Sequence, residues 1–506
     1  MSDTKKTTEQ WKAEQQRAER KARLSGMKDK DGGKKQIKSD NPVLRIIVVA
    51  VLILALIGTG LWAAVRTGLP QRHLTAATIG SIEVKPIDIN YYYYITLNSY
   101  GIDPSTPDGQ NMLQSPSGDE THPTLEAYLK DTALQSVQQD VMLSEEAKKQ
   151  GISMTEDDQE IVDNYVANFV SGAKQQGLTV DNYLIKAFGP GMNESALRMI
   201  AERVILADRY RTEKQDSFTF TAEELDKTYQ ENPDTYDVVN YRLFVFETEA
   251  DEDATEAEIE EAKKAAKGKA EEMLAKITDE ASFQEQAIAY ASKEDAVAYR
   301  TRDASLYTNR HKSAVTNVVQ KTWLFDEARK AQDKAVLESS TSYYVVMFID
   351  RFKPEFNRID IRHILISANR TSASSEEIAE AKSKAESILA TYQAGEKTEE
   401  AFAELAVTNS ADSSASQGGL YQDVFPGQMV KEFNDWCFDA ARKPGDTDIV
   451  QTDFGFHIMY FVDESGIDWE INVQNDLRNK EMDTLLSELR EDYPYQTQSF
   501  GYRFVG

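Results

Sequence analysis

The sequence predicts an α+β protein in which a single N-terminal transmembrane helix precedes a helical domain and two tandem copies of one mixed helix-and-sheet unit. Three observations support this organisation. An uncharged run of twenty residues lies near the amino terminus, apolar residues at helical spacing follow it, and the carboxy-terminal half contains an internal repeat. At 506 residues the chain is too long for one hydrophobic core, so several folded units are expected.

The charge is distributed unevenly along the chain. Residues 1–45 contain 13 Lys and Arg against 7 Asp and Glu, a net charge of +6, whereas the remaining residues carry −34. A body this acidic repels phosphate backbones, so nucleic acid is not expected as a partner. The single cysteine, Cys437, excludes an internal disulfide and a multi-cysteine metal site.

The uncharged run Ile46–Val65 is the predicted transmembrane helix. At about 1.5 Å per residue it is long enough to cross a hydrocarbon layer of about 30 Å. Its length and the 45 residues before it favour an uncleaved anchor over a cleaved signal peptide, which is the alternative. The basic tail, residues 1–45, is predicted to be disordered and cytoplasmic. The body after Arg66 would then lie outside the cytoplasm, at a cell surface or in a periplasm.

Residues 80–235 form the predicted helical domain. Thr124–Gln150 carries apolar residues at near-helical spacing. Thr155 begins a second helix with acidic residues in its first turn, and Thr221 opens a capping box with Glu224. Taken alone, the same pattern is typical of a generic helical bundle.

The internal repeat pairs Trp323–Asp350 with Trp436–Asp463. The two segments align without a gap and are identical at nine of 28 positions. We therefore predict that residues 236–352 repeat the fold of residues 356–465. The last segment, residues 466–506, is predicted to begin with a helix that packs back on the helical domain, and its final residues have no predicted structure.

The two copies differ at the positions expected to form a pocket. The earlier copy replaces two histidines and two apolar residues of the later copy: Leu243 for His363, Tyr344 for His457, Thr316 for Met429 and Gln320 for Phe433. A shared fold explains only the agreement between the copies. The differences therefore indicate that the pocket residues of the later copy serve a purpose other than folding, and that the earlier copy is inert, structural or peptide-binding.

Several short motifs follow one another in the later copy. In order, they are Arg362-His363-Ile364-Leu365, Ser410-Ala411-Asp412, Gly418-Gly419-Leu420, Gln428-Met429 with Phe433, and Thr452 to Ile458. The set resembles the parvulin-type peptidyl-prolyl cis/trans isomerase domain. The order of anchor, helical domain and parvulin-like copies is similar to that of the PrsA/SurA/PpiD-type membrane-anchored foldases. This resemblance implies a SurA/PrsA-like chaperone domain followed by two parvulin-like domains, the first of them degenerate.

The resemblance also implies a role for each motif residue. His363 and His457 would be paired histidines near the pocket floor, and Asp412 would lie beside the twisting carbonyl. The other residues would shape the pocket: Leu420, Met429 and Phe433 as the proline slot, Thr452 as a hydrogen-bond partner of the histidines, and Phe456 at the edge of the slot. Two features depart from the family. The segment Gly418-Gly419-Leu420-Tyr421 is one residue shorter than the corresponding glycine-rich segment of the family. The loop after the first strand contains only one basic residue, Arg370, so specificity for phosphoserine is not expected.

Isomerisation of an X-Pro bond breaks no covalent bond, so neither a metal nor a cofactor is expected. The barrier to rotation is about 18–20 kcal/mol, and an apolar slot with polar groups matched to the twisted amide lowers it. The expected partners are unfolded or newly exported polypeptides, the membrane and the secretion machinery. The alternatives are a non-catalytic holdase and a subunit of an envelope or secretion assembly. A serine hydrolase is disfavoured because no G-x-S-x-G phrase surrounds Ser410.

Overall fold

The computed structural model describes residues 15–21, 67–249, 254–370 and 372–506. The predicted transmembrane helix at residues 46–65 and most of the basic tail lie outside these ranges. Among the described residues, no helix is both long enough and apolar enough to cross a membrane. The chain divides into two compact units, one reaching Ala207 and including Tyr493–Gly506, the other formed by Asp208–Asp492.

The first unit is mainly helical and begins with a short hairpin. Its elements are α1 (Leu69–His73), β1 (Ala77–Ile79), β2 (Ile82–Val84), α2 (Pro86–Ser99), α3 (Pro107–Leu113), α4 (Leu125–Lys149), α5 (Glu156–Gln175), α6 (Val180–Phe188) and α7 (Glu194–Ser217). The helix starts predicted at Thr124 and Thr155 are confirmed. The Thr124 hydroxyl accepts a hydrogen bond from the Ala127 N–H, and Thr155 forms a capping box with Asp158.

The second unit contains two four-stranded antiparallel sheets. The earlier sheet follows α8 (Ala222–Glu231) and α9 (Pro233–Tyr236), and the Thr221 capping box predicted for α8 is confirmed. Its elements are β3 (Val238–Glu247), α10 (Glu256–Lys276), α11 (Glu280–Tyr290), α12 (Asp295–Thr301), β4 (Leu306–His311), α13 (Val318–Leu324), β5 (Lys334–Glu338) and β6 (Ser342–Phe352). The strand order is β4-β3-β6-β5.

The later sheet has the equivalent strand order, β8-β7-β10-β9. Its elements are β7 (Asn357–Ser367), α14 (Ser375–Ala394), α15 (Glu399–Asn409), β8 (Leu420–Val424), α16 (Lys431–Cys437), β9 (Thr447–Gln451) and β10 (Gly455–Ile467). Helices α14 and α15 cover one face, where Phe402 packs against Ile364 and Ile458. Helix α16 covers the other face, where Phe433 packs with Met459. Side chains that alternate along β10 therefore enter two separate cores.

Equivalent framework contacts recur in the two copies. The Arg242 guanidinium pairs with Glu280 at 3.2 Å in the earlier copy, and the Arg362 guanidinium pairs with Glu399 at 2.8 Å in the later copy. In each copy an arginine also lies over the tryptophan six residues before it, at 3.9 and 4.0 Å from the ring centre. These contacts are those expected of two copies of one fold.

The carboxy-terminal segment joins both units. Helix α17 (Asp468–Asp492) packs on α8 and α9, with Trp469 beside Tyr229 and Tyr236. Beyond it, β11 (Tyr495–Thr497) pairs antiparallel with β1 inside the first unit, and α18 (Ser499–Tyr502) follows. The final residues, for which the sequence predicted no structure, thus complete a three-stranded sheet whose other strands lie more than 400 residues earlier.

Candidate active site

The two motif histidines meet on the helix α16 side of the later sheet. Strands β7 and β10 pair so that Met459 lies opposite His363 and Leu365 lies opposite His457, which makes the histidines diagonal neighbours. Their Nδ1 atoms are 3.2 Å apart, and their rings stack with centres 5.3 Å apart. Both side chains are buried, with 1% and 6% of their surface exposed. The sequence prediction that they form a pair agrees with this geometry.

Thr452 holds the outer nitrogen of His457. The threonine Oγ1 lies 2.9 Å from His457 Nε2, and the same oxygen accepts a hydrogen bond from the Phe454 N–H at 3.1 Å. Thr452 is fully buried in the loop between β9 and β10. Because its oxygen already accepts the backbone hydrogen bond, its hydroxyl proton is free to point to the histidine.

Asp412 lies at the other end of the histidine pair. Its Oδ1 is 3.4 Å from His363 Nε2. The same oxygen accepts hydrogen bonds from the Ser414 N–H at 2.9 Å, from the Ser414 hydroxyl at 2.6 Å and from the Tyr421 hydroxyl at 3.0 Å. Asp412 caps a short 3₁₀ turn, Ser413–Gln417, that sets the direction of the carboxylate. The site therefore presents a carboxylate whose position is fixed by three donors.

The protonation states follow from these surroundings. Burial, together with a smaller effect of the nearby His363, lowers the pKa of His457 to about 4. Burial also lowers the pKa of His363, although Asp412 opposes that effect. Burial of Asp412 acts to raise its pKa, but the Ser414 hydrogen bonds, His363 and Tyr421 outweigh it and hold the pKa below its ordinary value. At neutral pH, two neutral imidazoles thus stand next to an ionised carboxylate.

The contacts fit a single direction of hydrogen bonding, in which His363 Nε2 lies 3.4 Å from Asp412 Oδ1 but is not aligned for a hydrogen bond with it. The Asp412 carboxylate accepts only, so His363 carries its proton on Nε2 and its Nδ1 is an acceptor. His457 then donates from Nδ1, and its Nε2 accepts from the Thr452 hydroxyl. The chain Thr452 to His457 to His363 to Asp412 ends on the carboxylate. Its members hold one another in one tautomeric state, and no nucleophile results from it.

The predicted proline slot is divided between a buried and an open part. Phe433 is buried and presents its ring edge-on to both histidines, at 5.4 and 5.3 Å between ring centres. Leu420 and Met429 are half-buried and line an open cleft of about 430 Å³. Tyr421, the hydroxyl partner of Asp412, lines the same cleft. Tyr421 therefore connects the cleft lined by Leu420 and Met429 with the Asp412 carboxylate.

The structure places one predicted site residue elsewhere and adds one that was missed. Phe456 lies on the opposite face of β10 from His457, buried with Phe402 in the core under α14 and α15, so its predicted place at the slot edge is wrong. Alternation along a strand could have shown this from sequence. Tyr421 was missed as a site residue because it appeared only as a departure from the family phrase. Its contact with Asp412 depends on a nine-residue loop that local pattern does not determine.

The earlier copy braces a loop of this site. The Asn309 side chain donates to the Pro426 carbonyl at 3.0 Å. A side-chain carbon at Gly427, which has a φ of +87°, would lie only 2.6 Å from the Thr308 hydroxyl oxygen, so the close approach requires glycine. The braced loop leads directly to Met429. The position of the slot wall therefore depends on β4 of the other copy.

A second brace holds the loop that carries Thr452. Arg302, at the end of α12 in the earlier copy, forms a salt bridge with Asp453. Asp453 follows Thr452 directly, and Thr452 contacts His457. Both loops that flank the histidine pair are thus held by the earlier copy.

Residues 343–465 match the family model of the PPIC-type PPIASE domain. The later copy is a parvulin-type peptidyl-prolyl isomerase. Within the described ranges of the chain, no cluster of His, Cys, Asp and Glu is arranged to hold a metal ion. The match also covers β6, which closes the earlier copy, so the parvulin assignment concerns about a quarter of the sequence directly.

Relatives extend the similarity beyond the parvulin domain. The chain is 22% identical over 339 residues to the chaperone SurA of Burkholderia thailandensis, covering 64% of this chain and 71% of that protein. It is 24% identical over 301 residues to the chaperone SurA of Nitrosococcus oceani, covering 58% and 65%. The crystal structure of PrsA from Bacillus subtilis aligns over 72% of this chain and 86% of PrsA, with 14% identity and a TM-score of 0.27. The family match and the SurA relatives support a PrsA/SurA-like parvulin foldase.

Proposed function

We propose that this isomerase is a membrane-anchored foldase that acts outside the cytoplasm on X-Pro bonds of newly exported proteins. The observation that carries the catalytic part is the ionised Asp412 carboxylate, held by Ser414 and Tyr421 beside the cleft that Leu420 and Met429 line. The chaperone part draws on the two relatives named SurA. A contact with the secretion machinery is part of the same proposal.

The carboxylate acts on the electron distribution of the substrate amide. A planar X-Pro amide carries partial negative charge on its oxygen, and this charge decreases as rotation removes the resonance. A fixed negative charge beside that oxygen destabilises the planar form more than the twisted form. The slot formed by Leu420, Met429 and Phe433 holds the proline ring and removes water, which strengthens the effect of the charge. The histidine chain keeps the carboxylate in place and takes no proton from the substrate.

The charge of Asp412 is the quantity to test. Asp412→Asn keeps the shape of the side chain and removes the charge, so we expect kcat for isomerisation of a proline peptide to fall about 10- to 100-fold, with a smaller change in KM. Asp435→Asn, an exposed acid on α16, is the matched control. Unchanged kcat in a folded Asp412→Asn protein would sink the electrostatic mechanism.

Membrane anchoring draws on the sequence of residues 46–65 and the basic tail before it. We expect full-length protein to remain in the membrane fraction after alkaline extraction, and a chain beginning at residue 67 to be released. The carboxy-terminal body should be digested by protease added to spheroplasts, which exposes a body at the cell surface and a body in the periplasm alike. A full-length protein recovered in the soluble cell fraction, or a protected body, would contradict the anchored extracytoplasmic placement.

The holdase alternative is favoured by one observation, the lack of the histidine pair in the earlier copy. If binding alone is the function, suppression of client aggregation should persist in a His457→Ala, Met429→Ala protein that no longer isomerises. Aggregation of an unfolded proline-free client measures this property separately from catalysis. Loss of both properties in that variant would tie the chaperone activity to the parvulin site.

A further inference from the structure

The two copies differ in how the outer edge of their first strand, β3 or β7, is hydrogen-bonded. In the later copy, the Leu365 N–H donates to the Ser410 hydroxyl at 3.1 Å, and the Leu365 carbonyl accepts from the Ala411 N–H at 2.9 Å. These bonds continue the edge of β7 past the end of β8, which pairs only as far as Arg362. The later sheet therefore leaves no open backbone group at Leu365.

In the earlier copy the corresponding edge is open. Strand β4 pairs with β3 as far as Arg242, and the Leu243 N–H donates to the Ser305 carbonyl. Because backbone groups alternate along a strand, those of Val245 and Glu247 point to the same side as those of Leu243. Within the described part of the chain, no strand or hydrogen-bonding group meets them on that side.

One substitution accounts for the missing side-chain bond to the strand N–H. Helices α11 and α15 each have 11 residues, and the residue that ends them is Ala291 in the earlier copy and Ser410 in the later copy. Alanine lacks the hydroxyl that accepts the Leu365 N–H. Ala291 consequently offers no acceptor to the Val245 N–H, and the hydroxyl of the next residue, Ser292, is bonded to Asp295 instead.

A cleft of about 680 Å³ lies along this open edge. Its volume falls within the range of about 300–1,000 Å³ that is usual for ligand sites. Its lining includes four aromatic rings and three alanines of helix α10: Phe244, Phe246, Tyr290, Tyr299, Ala262, Ala265 and Ala266. The alanines of α10 leave room above the rings. The cleft thus combines an apolar floor with unpaired strand hydrogen-bonding groups.

The rim of the cleft is acidic. Among the described residues, its lining includes four carboxylates and one lysine: Glu247, Glu249, Glu272, Asp295 and Lys269. Lys276 pairs with Glu272 at 2.8 Å, and the other three carboxylates outnumber Lys269. The surplus of negative charge complements lysine or arginine side chains of a bound segment.

We propose that the earlier copy binds an extended segment of unfolded polypeptide as an added strand along Val245–Glu247. An aliphatic or aromatic side chain of the segment enters the cleft, and a neighbouring Lys or Arg meets the acidic rim. The mode is strand addition, in which backbone hydrogen bonds supply affinity and pockets supply preference. This inference rests on the proposed chaperone function and assigns it a site separate from the isomerase cleft.

The probe is a labelled ten-residue peptide that alternates lysine with leucine or phenylalanine and contains no proline. Binding to the full-length protein in detergent is followed by fluorescence anisotropy. Val245→Pro removes the N–H offered to the peptide, and proline is tolerated at a strand edge whose N–H is unused. We expect the affinity to fall about ten-fold or more, while Val245→Thr, which keeps the N–H and the branched shape, binds as wild type.

Two further arms keep the test decisive if Val245→Pro unfolds the copy. Ala291→Ser supplies the hydroxyl present at Ser410 and should weaken binding. A peptide N-methylated at alternate residues should fail to bind the wild-type protein, as should a peptide with glutamate for lysine. Equal binding of the N-methylated and parent peptides, or of the Val245→Pro and Val245→Thr proteins, overturns the inference. Isomerisation and client aggregation, measured on the same variants, show whether the proposed function itself has failed.

Discussion

The two sheets of the second unit share a strand order but place different side chains at equivalent positions. Both copies keep an arginine–glutamate pair at the first strand and an arginine over a tryptophan after the last helix. Only the later copy has two histidines at the sheet centre, where the earlier copy has Leu243 and Tyr344. Burying two imidazoles costs hydration free energy that leucine does not lose. The fold therefore does not need the histidines, and the comparison separates framework from site.

The second difference concerns what each copy leaves open. The later copy closes the edge of its first strand with Ser410 and Ala411, and opens a cleft at Leu420 and Met429 on the slot side. The earlier copy leaves the edge at Val245 unpaired. The duplicated fold thus leaves a different part of the sheet open in each copy.

The largest expected effect comes from giving the later copy the residues of the earlier one. In His363→Leu, His457→Tyr protein the carboxylate loses its buried partner, and we expect kcat/KM for a proline peptide to fall about 100-fold or more. The measurement is isomerisation followed by NMR exchange, with circular dichroism as the check of folding. Leu243→His, Tyr344→His in the earlier copy is the matched control and should leave the rate unchanged. Full activity in the first variant would show that the histidines are only structural.

The next effect is a pH dependence confined to the later copy. His457 has a pKa of about 4 in the folded protein and an ordinary value of 6.5. Below pH 6.5 the unfolded chain binds the proton more readily, so the free energy of unfolding should decrease as the pH falls from about 6.5 to about 4, by about 3 kcal/mol. Hydrogen exchange of β10 amides measures the change, with β6 amides as the internal comparison.

His457→Phe should remove a large part of that slope, because only His363, whose lowered pKa is partly opposed by Asp412, then gains a proton on unfolding. An equal pH slope in wild type and His457→Phe protein would assign the acid sensitivity to other groups.

A smaller effect should follow from removing the braces between the copies. Arg302→Ala with Asn309→Ala frees the loops at Asp453 and Pro426, and we expect kcat/KM to fall about ten-fold through misplacement of the slot. Arg302→Lys, which keeps the charge, should recover part of the loss. Arg300→Ala, an exposed arginine on the same helix, is the control. Unchanged kinetics in the double variant would mean that the later copy holds its loops unaided.

The smallest effects test the shared framework. Arg329→Ala and Arg442→Ala each remove a guanidinium that lies over a tryptophan and donates to its carbonyl at 3.1 Å. We expect each change to lower the free energy of unfolding by about 1 kcal/mol, because the two contacts are the same. Denaturant unfolding measures both. A loss in one copy at least three times that in the other would break the equivalence.

The sequence by itself determined several helix starts, the duplication and much of the site. Helix starts at Thr155 and Thr221 followed from caps that involve residues three positions apart. The gapless repeat placed β5 and β6 on β9 and β10, and the motif order brought His363, His457 and Thr452 together as predicted. These features depend on local periodicity or on a register that the duplicated sequence itself displays.

Only the tertiary structure decided the contacts that cross between segments. It showed the hydrogen bonds of Tyr421 and Ser414 to Asp412 and the pairing of the final strand with β1. It also showed the unpaired edge at Val245. The unpaired edge depends on which backbone groups lack a hydrogen-bond partner after the sheets have formed. The strand pairing depends on segments that are far apart in sequence and meet only when the chain between them closes into a loop. A local sequence pattern does not show which distant segments will come together.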